Sequence, residues 1–190
     1  MVDFNAVFKD ANRSSRSNVS EATEAMEWYK KSVNDLLDKK KDPNKIFLRK
    51  SFEIGSMFIF VYDAKHKDTL PFFDMYPLVF PIERYPDGFL GLNLHYLPPG
   101  ARLGLLEALK TIRNNNKYNE TTKLNISYRL LKAYSNKFAG YQNCIKRYLT
   151  TQLRSSFFFV DYPNWDKAAK LPLQKWKING DQKYAGKPPY

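Results

Sequence analysis

The chain has 190 residues, 43% of them hydrophobic and 16% aromatic, with a formal net charge of +12 at pH 7 and a sequence pI near 9.6. That length fits one domain with appended arms, and the basic balance favours anionic partners: nucleic acid, an acidic protein face or a membrane surface. One cysteine, Cys144, excludes an internal disulfide framework and a cysteine-based zinc cluster; no apolar run reaches the roughly 18 residues of a membrane span, and the opening residues lack a signal-peptide core, so an intracellular chain is expected.

Residues 1–17 are small, polar and basic without periodicity and read as an extended arm, with Phe4, Val7 and Phe8 as anchors to a neighbour. Asn18 caps a helix with Glu21 closing a capping box, and Ala22, Met26, Tyr29, Val33 and Leu36 or Leu37 line its apolar face. Lys39–Lys41 complements the dipole at its end, and Asp42-Pro43 stops it.

Residues 51–100 hold eleven aromatics and six prolines and carry a net charge of −3, so the basic excess lies in the flanks. Ser56–Tyr62 reads as a strand and Asp63–Thr69 as a charged loop. Three prolines break Pro71–Pro81, which predicts a short strand at an edge or barrel corner. Pro86-Asp87-Gly88 is a turn. Phe89–Tyr96 alternates, with Phe89, Gly91, Asn93 and His95 on one face and Leu90, Leu92, Leu94 and Tyr96 on the other. These strands form an antiparallel meander or a small SH3-like barrel; Gly55, Gly88 and Gly91 permit the bends that favour the barrel.

After Pro98-Pro99-Gly100, Arg102–Ile112 reads as a helix ending at Asn114–Asn116. Residues 117–136 are ambiguous between helix and strand. Tyr141–Leu153 has the pattern of a basic amphipathic helix, Lys146, Arg147 and Arg154 outward and Cys144 inward as a small buried hydrophobe. Phe157–Val160 is a short strand, and Asn164 caps a helical turn at Trp165. From Leu171 on, Lys alternates with Trp, Ile and Pro, which reads as a second arm. The expected organisation is therefore α+β: an arm over 1–17, a single domain over 18–170 with its β core at about 52–97, and an arm over 171–190.

No constellation of reactive groups stands out. A restriction-type nuclease needs an Asp followed by Glu-X-Lys to hold magnesium; no Glu-X-Lys follows Asp87 on an adjacent strand, and Asp63-Ala64-Lys65 precedes it in a loop. His66 and His95 are the only histidines, too few for a metal site or a triad, and His95 reads as a structural histidine. Phosphate cradles of the Walker type are absent. The expectation is a non-enzyme with no catalytic residues, cofactor, metal or small-molecule substrate. Two binding readings remain. Arg129, Lys132, Lys137, Lys146, Arg147 and Arg154 are interleaved with Tyr128, Tyr134, Tyr141 and Tyr148, a composition that holds phosphates and stacks bases; within it Arg129, Lys132, Lys146, Arg147 and Arg154 are the candidate anion contacts. Two arms around an aromatic core suit a subunit docked in an assembly, with Phe4, Phe8, Trp165, Trp176, Tyr184 and Tyr190 as candidate protein-interface residues.

The stretches LPFFDMYPLVFPIE, DGFLGLNLHYLPP, CIKRYLTTQLRSSFF and NWDKAAKLP, spanning roughly residues 52–172, resemble virion proteins of T4-like contractile-tailed bacteriophages. The resemblance implies a structural part of the tail, in the baseplate, located in the virion among other virion proteins and away from membranes. It makes Phe72, Phe73, Tyr76, Phe89, Leu92 and Tyr96 core or interface positions. The alternative it leaves open is a DNA-binding head-completion or neck protein touching packaged DNA. A host-directed inhibitor of a nucleic-acid enzyme fits basicity and size but not two arms.

Overall fold

A computed structural model describes residues 19–38, 48–69, 73–97, 99–137, 144–171, 175–178 and 181–184. The expected N-terminal arm with Phe4 and Phe8, the cap Asn18, and Phe72, Tyr141 and Tyr190 lie outside these residues.

The first helix, α1 (Val19–Leu37), buries Ala25, Tyr29, Val33 and Leu36, which follow the three- and four-residue spacing of one helical face. Six strands follow: β1 (Leu48–Arg49), β2 (Met57–Ile59), β3 (Leu78–Tyr85), β4 (Gly88–Asn93), β5 (Ile145–Leu149) and β6 (Phe157–Val160). They form one antiparallel sheet in the order β1-β6-β2-β3-β4-β5. The chain is α+β as expected, but the sheet is open, with β1 and β5 at its two ends rather than joined in a barrel.

Period-two alternation gives the sheet two apolar faces. Met57, Ile59, Leu78, Phe80 and Leu92 belong to the core shared with the helices, α2 (Pro99–Arg113), α3 (Glu120–Lys137) and α4 (Trp165–Lys170). Phe58, Phe60, Val79, Phe89, Tyr148 and Phe157 form a second cluster, most of whose rings meet edge-on at centroid separations such as 5.2 Å for Phe60–Tyr148 and 5.3 Å for Phe60–Phe157. A 3-10 turn at Thr150–Gln152 swings the chain back so that Leu153 bridges Tyr62, Arg154 N–H donates to Val61 O at 2.9 Å and Asp63 N–H donates to Gln152 O at 3.0 Å. These bonds bring the segment after β5 round to the segment after β2, over the aromatic cluster.

Three expectations change. The segment read as a basic helix over Tyr141–Leu153 is strand β5 from Ile145 to Leu149, paired with β4 from Leu92↔Ile145 to Gly88↔Leu149. Its apolar spacing suits a helix, but the waiting edge of β4 offers five residue pairs, and tertiary context overrides local pattern in strands. Gly88 makes that approach possible, because a Cβ there would run into the carbonyl oxygen of Tyr148. The second change is β3, which is eight residues long and flanked on both sides despite Pro81. Pro81 sits at a bulge, where the register shifts between Pro81 and Glu83, and β2 pairs only with Leu78 and Val79, so no ladder donor is lost. The third is β1, a two-residue strand on Phe157 and Phe158 that no periodicity announces. The ambiguous 117–136 stretch resolves as α3, capped by Asn119 Oδ1, which accepts from Thr122 N–H at 2.8 Å. Lys175–Ile178 and Asp181–Tyr184 pair as an antiparallel hairpin, β7–β8, within the segment expected as a C-terminal arm.

On the helical side, Arg102 of α2 is wholly buried. Its guanidinium donates to Leu171 O at 2.6 Å, to Ala168 O at 3.5 Å and to Leu97 O at 3.0 Å. Carbonyls in the last turn of a helix lack intrahelical partners and carry partial negative charge; Arg102 supplies both a donor and a cation to the end of α4. Burial lowers its pKa to about 10, so it stays cationic at neutral pH. Arg102→Leu strands these carbonyls. The expected cost of about 3 kcal/mol lowers Tm by roughly 6–12 °C, measured by thermal unfolding.

Candidate nucleic-acid interface

One carboxylate organises the region beside β5. Asp74 Oδ2 lies 2.6 Å from His95 Nδ1 and accepts from Asn93 Nδ2 at 3.0 Å, and its Oδ1 accepts from Tyr76 N–H at 3.1 Å. A carboxylate only accepts, so the Nδ1 of His95 carries the proton. The Asn93 amide also donates to the Tyr148 hydroxyl at 3.1 Å, and its Oδ1 accepts from His95 N–H at 2.9 Å. That last bond caps a 3-10 turn at Leu94–Tyr96 and ends the alternation of β4 at Asn93. Asn93 and His95 are completely or almost completely buried. Tyr29 of α1 meets the His95 ring edge-on at 5.0 Å and donates its hydroxyl to Tyr76 O. Burial, with the Asp74 charge as a further cause, raises the pKa of Tyr29 and of Tyr148, so both remain neutral phenols. His95 is thus structural, as the sequence reading has it.

Above this floor is a cavity of about 380 Å³. Tyr62, Phe73, Tyr96 and Tyr148 give it an aromatic lining, Asp74 and Asn93 polar groups, and Lys65, Lys146 and Arg147 cations. Lys146 lies over the Tyr96 ring at 4.6 Å and is half-buried, and burial lowers its pKa. Arg147 lies over the Tyr85 ring at 3.7 Å and pairs with Asp87. Among the described residues neither Lys65 nor Lys146 has an ion-pair partner, so both charges remain open to an anion. Asp63, next to the cavity wall, is held below the usual carboxylate range by its hydrogen bonds to Lys67 and then to Arg154.

The structure brings only part of the predicted anion set together. Lys146 and Arg147 line the cavity, Arg154 is tied to Asp63 nearby, and Arg129 is exposed on α3 outside the lining. The side chain of Lys132 is outside the described residues, as are those of Trp176 and Tyr184. Trp165, expected at an interface, is a core residue: it is 4% exposed, meets the Phe80 ring at 5.3 Å and donates Nε1–H to Val160 O at 3.2 Å. Phe73, Tyr76, Phe89, Leu92 and Tyr96 lie in or against the two cores. Sequence reasoning missed Asp74, Asn93 and Lys65. The available signal was an acidic residue isolated within the aromatic run Phe72–Tyr76. Cys144 is buried, donates to Tyr96 O at 3.0 Å, and has its pKa pushed up to about 12 by burial, which leaves it an unreactive thiol.

Residues 1–188 match a family model described as phage T4 terminal DNA protecting protein. The chain belongs to that family. Its kinship with T4-like phage proteins therefore holds, but the family description concerns DNA ends, which corrects the tail-baseplate placement towards the alternative of a DNA-associated phage protein. No curated protein and no solved structure matches the chain. Among the described residues no helix is long and apolar enough to cross a membrane.

Asp74→Ala would leave three donors without their acceptor in a buried setting. It is expected to cost at least about 3 kcal/mol in urea unfolding. Asp87→Ala, which removes only the exposed partner of Arg147, is expected to cost less than about 1 kcal/mol.

Proposed function

We propose that this chain is a non-enzymatic, virion-associated protein of a T4-like phage that binds the ends of its DNA, with the cavity beside β5 as the contact surface. The observation that carries this reading is the convergence of Lys65, Lys146 and Arg147 on one aromatic-walled cavity at the end strand of the sheet. The family description, with its protection of terminal DNA, supports the choice of ligand. Cations neutralise phosphates and release counterions, which supplies affinity without sequence preference; tyrosine and phenylalanine faces stack on any base. The net charge of +12 adds long-range attraction to the duplex. A protein so seated excludes a nuclease by occupying the end and needs no chemistry of its own. Other virion proteins are the remaining partners in this reading.

Binding to a linear duplex should weaken steeply with salt. The double variant Lys146→Glu, Arg147→Glu should reduce the slope of log affinity against log salt by about 2 and lose the protection that the unmodified chain gives a linear duplex against an exonuclease. No duplex binding at low salt, or equal protection by the charge-reversed chain, would overturn the reading.

A further inference from the structure

We infer that the cavity beside β5 receives the terminal nucleotide of a DNA strand, its base inside and its phosphate at the cationic side. This rests on the DNA-end reading above and specifies what the site holds. The volume of about 380 Å³ falls within the range of about 300–1,000 Å³ of sites that enclose small ligands, so it takes one nucleoside and not a helix. Only a nucleotide freed from its neighbours can enter. Extruding one from inside a duplex costs unstacking and unpairing, whereas a nucleotide at an end stacks on one side only. Selection for ends then follows from the size of the site and not from its charge.

The lining suits such a guest. Phe73, half-buried, offers ring surface for the base, and the nearly buried Tyr62, Tyr96 and Tyr148 contribute the apolar wall behind it. Asp74 accepts from His95, Asn93 and Tyr76, and a carboxylate has about four acceptor sites, so one remains. An exocyclic amino group fills it, which favours adenine, cytosine or guanine over thymine at the terminus. Lys65 and Lys146, without ion-pair partners among the described residues, meet the phosphate. Ala64 lines the cavity and belongs to the aromatic core cluster behind it, so a larger side chain there crowds the cavity wall without altering a charge.

The experiment uses the full chain and duplexes carrying 2-aminopurine either at a terminal or at an internal position, together with a duplex of equal length closed by hairpins at both ends. The terminal probe should change its emission on saturation and the internal one should not. The closed duplex should bind at least about tenfold more weakly than the open one. Ala64→Phe should abolish the terminal signal and lower affinity for the open duplex to that for the closed one, while leaving the salt dependence of the remaining binding in place. An equal response from both probes, with the open duplex still preferred, would overturn the inference while leaving the DNA-end reading in place; equal affinity for open and closed duplexes would overturn both. Absence of binding to every duplex would overturn both. Circular dichroism checks that Ala64→Phe folds; if it does not, the comparison of open and closed duplexes with the unmodified chain decides.

Discussion

The Asp74 carboxylate fixes the shape of the cavity beside β5. Its bonds to Tyr76, Asn93 and His95 join the segment before β3 to the end of β4 and the 3-10 turn beyond it, and Asn93 extends the link to Tyr148 on β5. A carboxylate with little solvent exposure is costly unless its lone pairs are met, and here one of the three donors that meet it, Asn93, lines the cavity beside it. Tyr29, edge-on to His95 and bonded to the Tyr76 carbonyl, couples that floor to helix α1. The site therefore stands on side chains whose positions are set by other side chains, the condition under which a contact surface keeps its shape. Arg102 performs the corresponding task on the helical side, tying α2 to the end of α4.

Where the cations fall is a consequence of strand pairing. Because Ile145–Leu149 adds to β4, Lys146 and Arg147 are carried to the end of the sheet, beside the loop that bears Lys65 and His66. As a helix the same residues would present a diffuse basic face. As a strand they border one concavity, which can be filled by a ligand. Lys146 is partly desolvated, and its depressed pKa expresses that unfavourable term at neutral pH. The Asp74 charge opposes that term in part, and a phosphate bound there would oppose it further.

Much of the architecture was legible in the sequence because it depends on short-range pattern. The apolar face of α1, the alternation of β4 and the strand at Phe157–Val160 each follow from side-chain period alone. What was not legible depends on distant partners. Asn93 and Tyr148 are 55 residues apart, and nothing local marks Asp74 as their shared neighbour. Lys146 and Arg147 stood out by composition as candidate anion contacts, but Ile145, Tyr148 and Leu149 have the i, i+3, i+4 spacing of a helix, and only the distant edge of β4 makes the segment a strand. Pro81 misled for a related reason: the rule that excludes proline from a central strand holds only where its nitrogen faces a partner, and the β2 ladder ends at Leu78 and Val79, before it reaches Pro81.

The central claim is that DNA ends meet the protein at β5 and the loop beside it. It is tested most directly by photo-crosslinking a duplex that carries 4-thiothymidine next to its terminal nucleotide, followed by mass spectrometry of the attached peptides. Crosslinks confined to residues 62–74 and 144–149 are the result this account predicts. Crosslinks concentrated on α1 or on α3 would contradict it.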